Sequence, residues 1–193
     1  MKLLYKTDIL TMLIITLLGV INEQVTVFYI IYLFWFQEFI RTVVDFSYLV
    51  RQKKTIKEKF DFLKLSFGSF FILFIYFVFI VVLFGFMLNW RNEDLLIQNI
   101  VVLVFRNWYF NVNLLFFLAE YIYFRSKTDN ANLQMQVFSK RHIILHLSIM
   151  LGALIQLMVM PRLHIENNVL TSALVILPFL LLKIFLDRGE KVQ

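Results

Sequence analysis

Residues 65–88 read LSFGSFFILFIYFVFIVVLFGFML and contain no charged side chain. At ~1.5 Å of rise per residue, a helix of this length exceeds the ~30 Å hydrocarbon core of a bilayer. A helix on a water-soluble core needs a polar face, and this run offers only Ser66, Ser69 and Tyr76. The whole chain agrees: 61% of its 193 residues are apolar and 17% charged, against roughly half and about a quarter in an ordinary soluble domain. With no Cys, structural disulfides, thiolate metal sites and Cys nucleophiles are excluded. The expected fold is all-α: a polytopic transmembrane bundle forming one domain over 1–193.

Apolar stretches place six spans at about 9–22, 25–50, 65–88, 95–124, 143–160 and 169–187. The fourth is too long for one upright helix. Its core is expected at 108–124, with 95–105 as a tilted or interfacial lead-in. The first stretch has a basic start, as a secretory signal does. It runs on through Gly19-Val20-Ile21-Asn22-Glu23 with no small-x-small cleavage site, so it is expected to stay as a helix. Residues 51–64 mix Phe60, Phe62 and Leu63 with lysines, as an amphipathic surface segment would. The polar stretch 126–139 reads as a loop.

Charged residues inside the apolar stretches fall into a pattern. Glu38, Arg41 and Asp45 lie at i, i+3 and i+7, one stripe of a helix, with Gln37 and Tyr48 at its margin. Arg41 can bridge both acids along the helix. The triad carries one surplus negative charge, for which the surroundings must supply a donor or a cation. Arg106, Asn113 and Glu120 repeat at heptad spacing; His142 and His146 share a face four residues apart; Ser148 and Gly152 form a small-x-x-x-small pair suited to close helix packing. Lys183 and Asp187 end the last span. Depth counting puts Asp45, Glu120, His146 and Lys183 one to two turns from one boundary, with Glu38, Arg41 and Asn113 deeper. This predicts one polar cluster, with Arg41 as its hub. Such a cluster either holds helices in register or serves as a proton, ion or ligand path.

No cofactor or metal is expected. Bis-His haem needs two His facing each other, but His142 and His146 share a helix and His164 falls on the opposite side. Zinc on His142, His146 and Glu120 is geometrically possible. The basic residues are dispersed over loops without a nucleic-acid motif. The expected partners are the lipid bilayer and another protein or a second copy of the chain.

Phe34-Trp35-Phe36-Gln37-Glu38, Arg141…His146-Leu-Ser-Ile-Met-Leu-Gly152 and Leu182-Lys183…Asp187 resemble a family of small polytopic prokaryotic membrane proteins of unknown function. The resemblance spans most of the chain and implies six helices and no known activity. Where that pattern has an acid after the Trp-Phe pair, this chain has Gln37, with Glu38 next. A second comparison is with intramembrane glutamate proteases of the prenyl-endopeptidase type, which carry Glu-Glu-x-x-x-Arg and Phe-x-x-x-His. Gln37-Glu38-Phe39-Ile40-Arg41 differs in composition and is one residue short; Phe138…His142 has the second spacing.

Three roles follow: a subunit or interaction partner in an inner-membrane assembly; a small transporter or ion conductor using the cluster; or a membrane-embedded hydrolase. Topology can be stated sharply. With six spans, 15 of the 19 basic residues fall on the side of the termini, and only Arg91 and Arg162 fall in the opposite loops. This places both termini in the cytoplasm. Reporter fusions at the C-terminus and after Lys54 are expected to read cytoplasmic, and one after Arg91 external; a cytoplasmic signal at Arg91 breaks the six-span arrangement.

Overall fold

A computed structural model describes residues 2–51, 56–127 and 140–159, together with Pro178 and Leu181. Most of the expected sixth span, Lys183 included, and the side chain of His142 lie outside the described residues. The described chain is all-α: α1 (Lys2–Ile21), α2 (Val27–Val50), α3 (Ile56–Phe79) continued by a π-helical stretch (Ile80–Phe86) and a 3-10 turn (Met87–Asn89), α4 (Glu93–Leu103), α5 (Trp108–Lys127), and α6 (Lys140–Leu154) continued by a second π stretch (Ile155–Val159).

α2 is the axis of the bundle, with α3, α5 and α6 packed on it and α1 packed on α5. It starts at Thr26, whose Oγ1 accepts the Tyr29 amide N–H at 3.1 Å, which satisfies one of the orphan donors of the first turn. Every residue from Val27 to Trp35 is buried. The contacts fix directions. Asn107 reaches the Gln24 carbonyl, Asn113 reaches Tyr29 and Tyr121 reaches Asp45, so α5 runs parallel to α2. Phe28 faces Gly85, Trp35 reaches Leu73 and Phe46 meets Phe70, so α3 runs antiparallel. The Trp35 indole N–H is buried and donates to the Leu73 carbonyl at 2.8 Å.

The Thr26 end is closed by amides and by backbone turns. Where the π stretch gives way to the 3-10 turn, the Phe84 carbonyl accepts Asn89 Nδ2 at 2.8 Å and Asn99 Nδ2 at 3.2 Å. Asn99 Oδ1 accepts Thr26 Oγ1–H at 2.8 Å. One buried asparagine therefore ties the start of α2 to the end of α3. The stretch Glu93–Lys127 is long and apolar enough to cross a membrane as one run, but it breaks at 104–107. Arg106 N–H bonds the Val101 carbonyl and Phe105 N–H the Val102 carbonyl, with Phe105 at φ 59°. This is a Schellman cap with a phenylalanine in the place that usually holds glycine, at a cost of ~1–2 kcal/mol. Asn111 Nδ2 donates to the Phe105 carbonyl at 2.6 Å, and the Phe105 ring packs on Phe36 and Phe110. Asn107 Oδ1 then caps α5 by accepting the Phe110 N–H at 2.9 Å.

Three helical runs are long and apolar enough to cross a membrane: Val27–Val50, Leu63–Asn89 and Glu93–Lys127. Their burial is inverted relative to a soluble protein. Leu63–Asn89 has the highest mean hydropathy and only 22% of its most apolar window buried, whereas the more polar Val27–Val50 has 67% buried. Phe67, Phe71, Phe74, Val78 and Val82 form an exposed face along α3, larger than a protein in water tolerates.

α6 turns Leu145, Ser148, Ile149, Gly152 and Ile155 inward at helical spacing. A Cβ on Gly152 would collide with Ile31 Cδ1 of α2 and come within 3.0 Å of the Phe84 ring. The Ser148-x-x-x-Gly152 face is thus a close-approach contact. Replacing Gly152 by Leu is expected to destabilise the detergent-solubilised protein by ~1–3 kcal/mol through overpacking; thermal unfolding of the variant measures it.

Candidate functional site

The charged stripe of α2 points inward. Glu38, Arg41 and Asp45 are all buried. Arg41 Nη1 stands 3.7 Å from Glu38 Oε2, one turn earlier, and its guanidinium lies 5.1 Å from the ring centre of Phe117 and 5.9 Å from that of Tyr121, both on α5. Asp45 receives a cation from α5: Arg125 Nε is 3.0 Å from its Oδ1, and Tyr121 Oη–H donates to the same oxygen at 2.8 Å. The Arg125 guanidinium in turn lies 5.3 Å from the Tyr48 ring centre on α2. Each helix thus lends a cation to an aromatic ring of the other. Arg125 Nε has no hydrogen-bond partner of good geometry among the described residues, so its pairing with Asp45 is Coulombic rather than directional.

The surplus negative charge of the α2 triad is therefore met by Arg125, with Tyr121 as the added donor. The work expected of Arg41 is shared between two guanidinium groups. Two acids and two arginines close electrically in a medium where an isolated charge is costly. The helix phases explain why these residues meet: Phe117, Tyr121 and Arg125 recur every four residues on α5 and face Arg41, Asp45 and Tyr48 on the parallel α2.

Asn113 and His146 sit elsewhere. Asn113 is buried at a separate level, where its Nδ2 donates to Tyr29 Oη at 3.0 Å and to Thr16 Oγ1 at 3.4 Å, joining α1, α2 and α5. Glu120 is half-buried and turned about 100° from Tyr121 around α5. His146 does not join the charge network. Its side chain is exposed, and its Nδ1 lies 3.4 Å from Tyr76 Oη on α3. The reason is its phase: Leu145, Ser148, Ile149 and Gly152 take the inward face of α6, and His146 falls beside it. Matching depth placed His146 in the cluster, and azimuth removes it. Gln37, at the margin of the stripe, turns its amide to Met12 Sδ of α1 at 3.7 Å.

Arg125 is the residue that sequence reasoning missed, since a basic residue at the end of a span counts as a boundary cation. Two signals pointed to it: the uncompensated charge of the triad, and its register four and eight residues after Tyr121 and Phe117. Among the described residues no three His, Asp or Glu side chains converge on a common point. The chemistry the network offers is charge pairing that fixes α5 against α2.

Removing one member of a buried ion pair leaves the other uncompensated and costs about 3–5 kcal/mol. Asp45→Asn and Arg125→Gln are each expected to fall in that range in detergent unfolding. The double variant is expected to lose less than the two singles together, because the stranded charge is gone; full additivity in the cycle contradicts the pairing.

A family model described as "Family of unknown function (DUF6498)" matches residues 6–193. No curated protein and no solved structure matches the chain. The matched span takes in every residue of the charge network and of the α6 contact face, and the chain belongs to the DUF6498 family of unknown function.

Proposed function

We propose that this chain is a six-span integral protein of the inner membrane, with both termini cytoplasmic, that acts as a subunit or interaction partner in a membrane assembly. The observation that carries this reading is the inverted burial: the charges of Val27–Val50 are enclosed and paired, while the most apolar run, Leu63–Asn89, faces outward. Trp90 and Trp108 are 75% and 72% exposed at the Thr26 end, the place of an interfacial aromatic belt. The count of basic residues in the loops supports a cytoplasmic Arg51 end, and on that reading the charge network lies in the cytoplasmic half.

The pairing of Glu38 with Arg41 and of Asp45 with Arg125 favours a structural role for the network over a conduction path. Both carboxylates are buried between helices with a guanidinium beside them, as groups that hold helices in register would be. The activity then lies in what the apolar exterior touches. Affinity purification from membranes in mild detergent is expected to retain a stoichiometric protein partner or a second copy. The reading fails if the protein is monomeric and alone, and drives proton or ion flux in liposomes that Glu38→Gln or Asp45→Asn abolishes without loss of folding.

A further inference from the structure

α2 is enclosed differently in its two halves. From Val27 to Trp35 every residue is buried, with α4 packed on α2 and the Phe110 ring on Tyr29 and Tyr32. α4 has 11 residues, about half the thickness of a bilayer. Where its cover ends, the described residues leave a stripe open along the rest of α2. Phe36 and Ile40 are half-buried, and Val43, Ser47, Val50 and Arg51 are exposed. The spacing of these residues keeps them on one helix face. Phe39 and Phe46 bound that face on one side by packing on Phe70 of α3. Ser47 Oγ is turned back to the Val43 carbonyl at 2.8 Å, so the stripe is effectively apolar until it reaches the guanidinium of Arg51.

From Phe36 to Arg51 the stripe is ~22 Å long, one leaflet plus its headgroup region. It is apolar along its length and cationic at its mouth. The polar group stands where a lipid headgroup would, and the stripe stops at mid-depth, where the acyl chain of one leaflet ends. A phospholipid of one leaflet has these dimensions and this polarity. We propose that the open half of α2 binds an anionic phospholipid, its acyl chain on Phe36, Ile40, Val43 and Val50 and its phosphate on Arg51. The leaflet it comes from rests on the topology proposed above, and binding itself does not.

The test uses the full-length protein in mild detergent, titrated with phosphatidylglycerol and separately with phosphatidylcholine, with bound lipid counted by native mass spectrometry. Phosphatidylglycerol is expected to bind more tightly. Arg51→Gln is expected to weaken it about fivefold, the effect of one interfacial cation, and to leave phosphatidylcholine unchanged. Val43→Trp, which fills the stripe at an exposed position, is expected to reduce binding of both lipids, whereas Val82→Trp on the exposed face of α3 is not. Equal affinity of the two lipids in the parent protein, or equal effects of Val43→Trp and Val82→Trp, overturns the proposal. Labelling of Lys54→Cys in sealed membranes reads the topology separately: an external label, with lipid binding of the parent protein as expected, refutes the cytoplasmic assignment and keeps the site.

Discussion

The pairing of Asp45 with Arg125 is the contact on which the arrangement of this bundle depends. The two residues belong to helices far apart in sequence, and the helices run parallel, which no short loop between neighbours can impose. An unpaired carboxylate or guanidinium in a helix core surrounded by hydrocarbon is costly enough to outweigh many apolar contacts. Once Asp45 must meet Arg125, the remaining contacts of the interface follow by helical repeat: Tyr121 beside Asp45, and Arg41 over Tyr121 and Phe117. With α5 fixed on one side of α2, α3 and α6 take two further sides, and α1 covers α5.

Apolar packing alone would not have selected this arrangement. In lipid, one apolar face is nearly as well solvated as another, so shape and hydrogen bonds decide which helices meet. Shape enters at Gly152, where α6 comes close enough to Ile31 and Phe84 that no side chain fits. It enters again in the rings Phe28, Tyr32, Trp35, Phe36, Phe77 and Phe110, whose neighbouring centroids lie 4.8–6.3 Å apart. These aromatics fill the side of α2 that faces α3 and the α4–α5 turn. Phe is abundant in this chain, and it serves two purposes: buried rings stack between helices, and exposed ones such as Phe67 and Phe71 clothe α3.

The described helices, the inward stripe of α2 and the close face of α6 were legible because each follows from periodicity or from an uninterrupted apolar run. The break between α4 and α5 was legible from length, since 95–124 outruns the bilayer. Its means was not, because a left-handed cap usually announces itself with glycine and here holds Phe105. The positive-inside count also hid Arg125, because it treats every basic residue near a span end as solvated. His146 shows the opposite failure. Depth along a helix follows from residue number, but direction around it depends on which face the neighbours claim, and on α6 that face belongs to Leu145, Ser148 and Ile149.

The two ends of the bundle solve the same electrostatic problem with different groups. At the Thr26 end the helices stop, kink and restart, so the groups to be satisfied are backbone carbonyls and amides. Neutral side chains suffice there: Asn99 and Asn89 serve the Phe84 carbonyl, Asn107 serves Gln24 and Phe110, and Asn111 serves Phe105. An amide both donates and accepts, so one asparagine can close two helix ends without introducing a charge that would need its own partner. Toward the Arg51 end α2 and α5 continue as regular helices with their backbone groups internally satisfied. What must be fixed there is the register of one rod against another. A full charge pair discriminates between registers far more sharply than an amide pair, because a slip of one turn (~5.4 Å) strands both ions. The amides of the Thr26 end therefore sit where the backbone is irregular, and the paired charges where it is regular but free to slide.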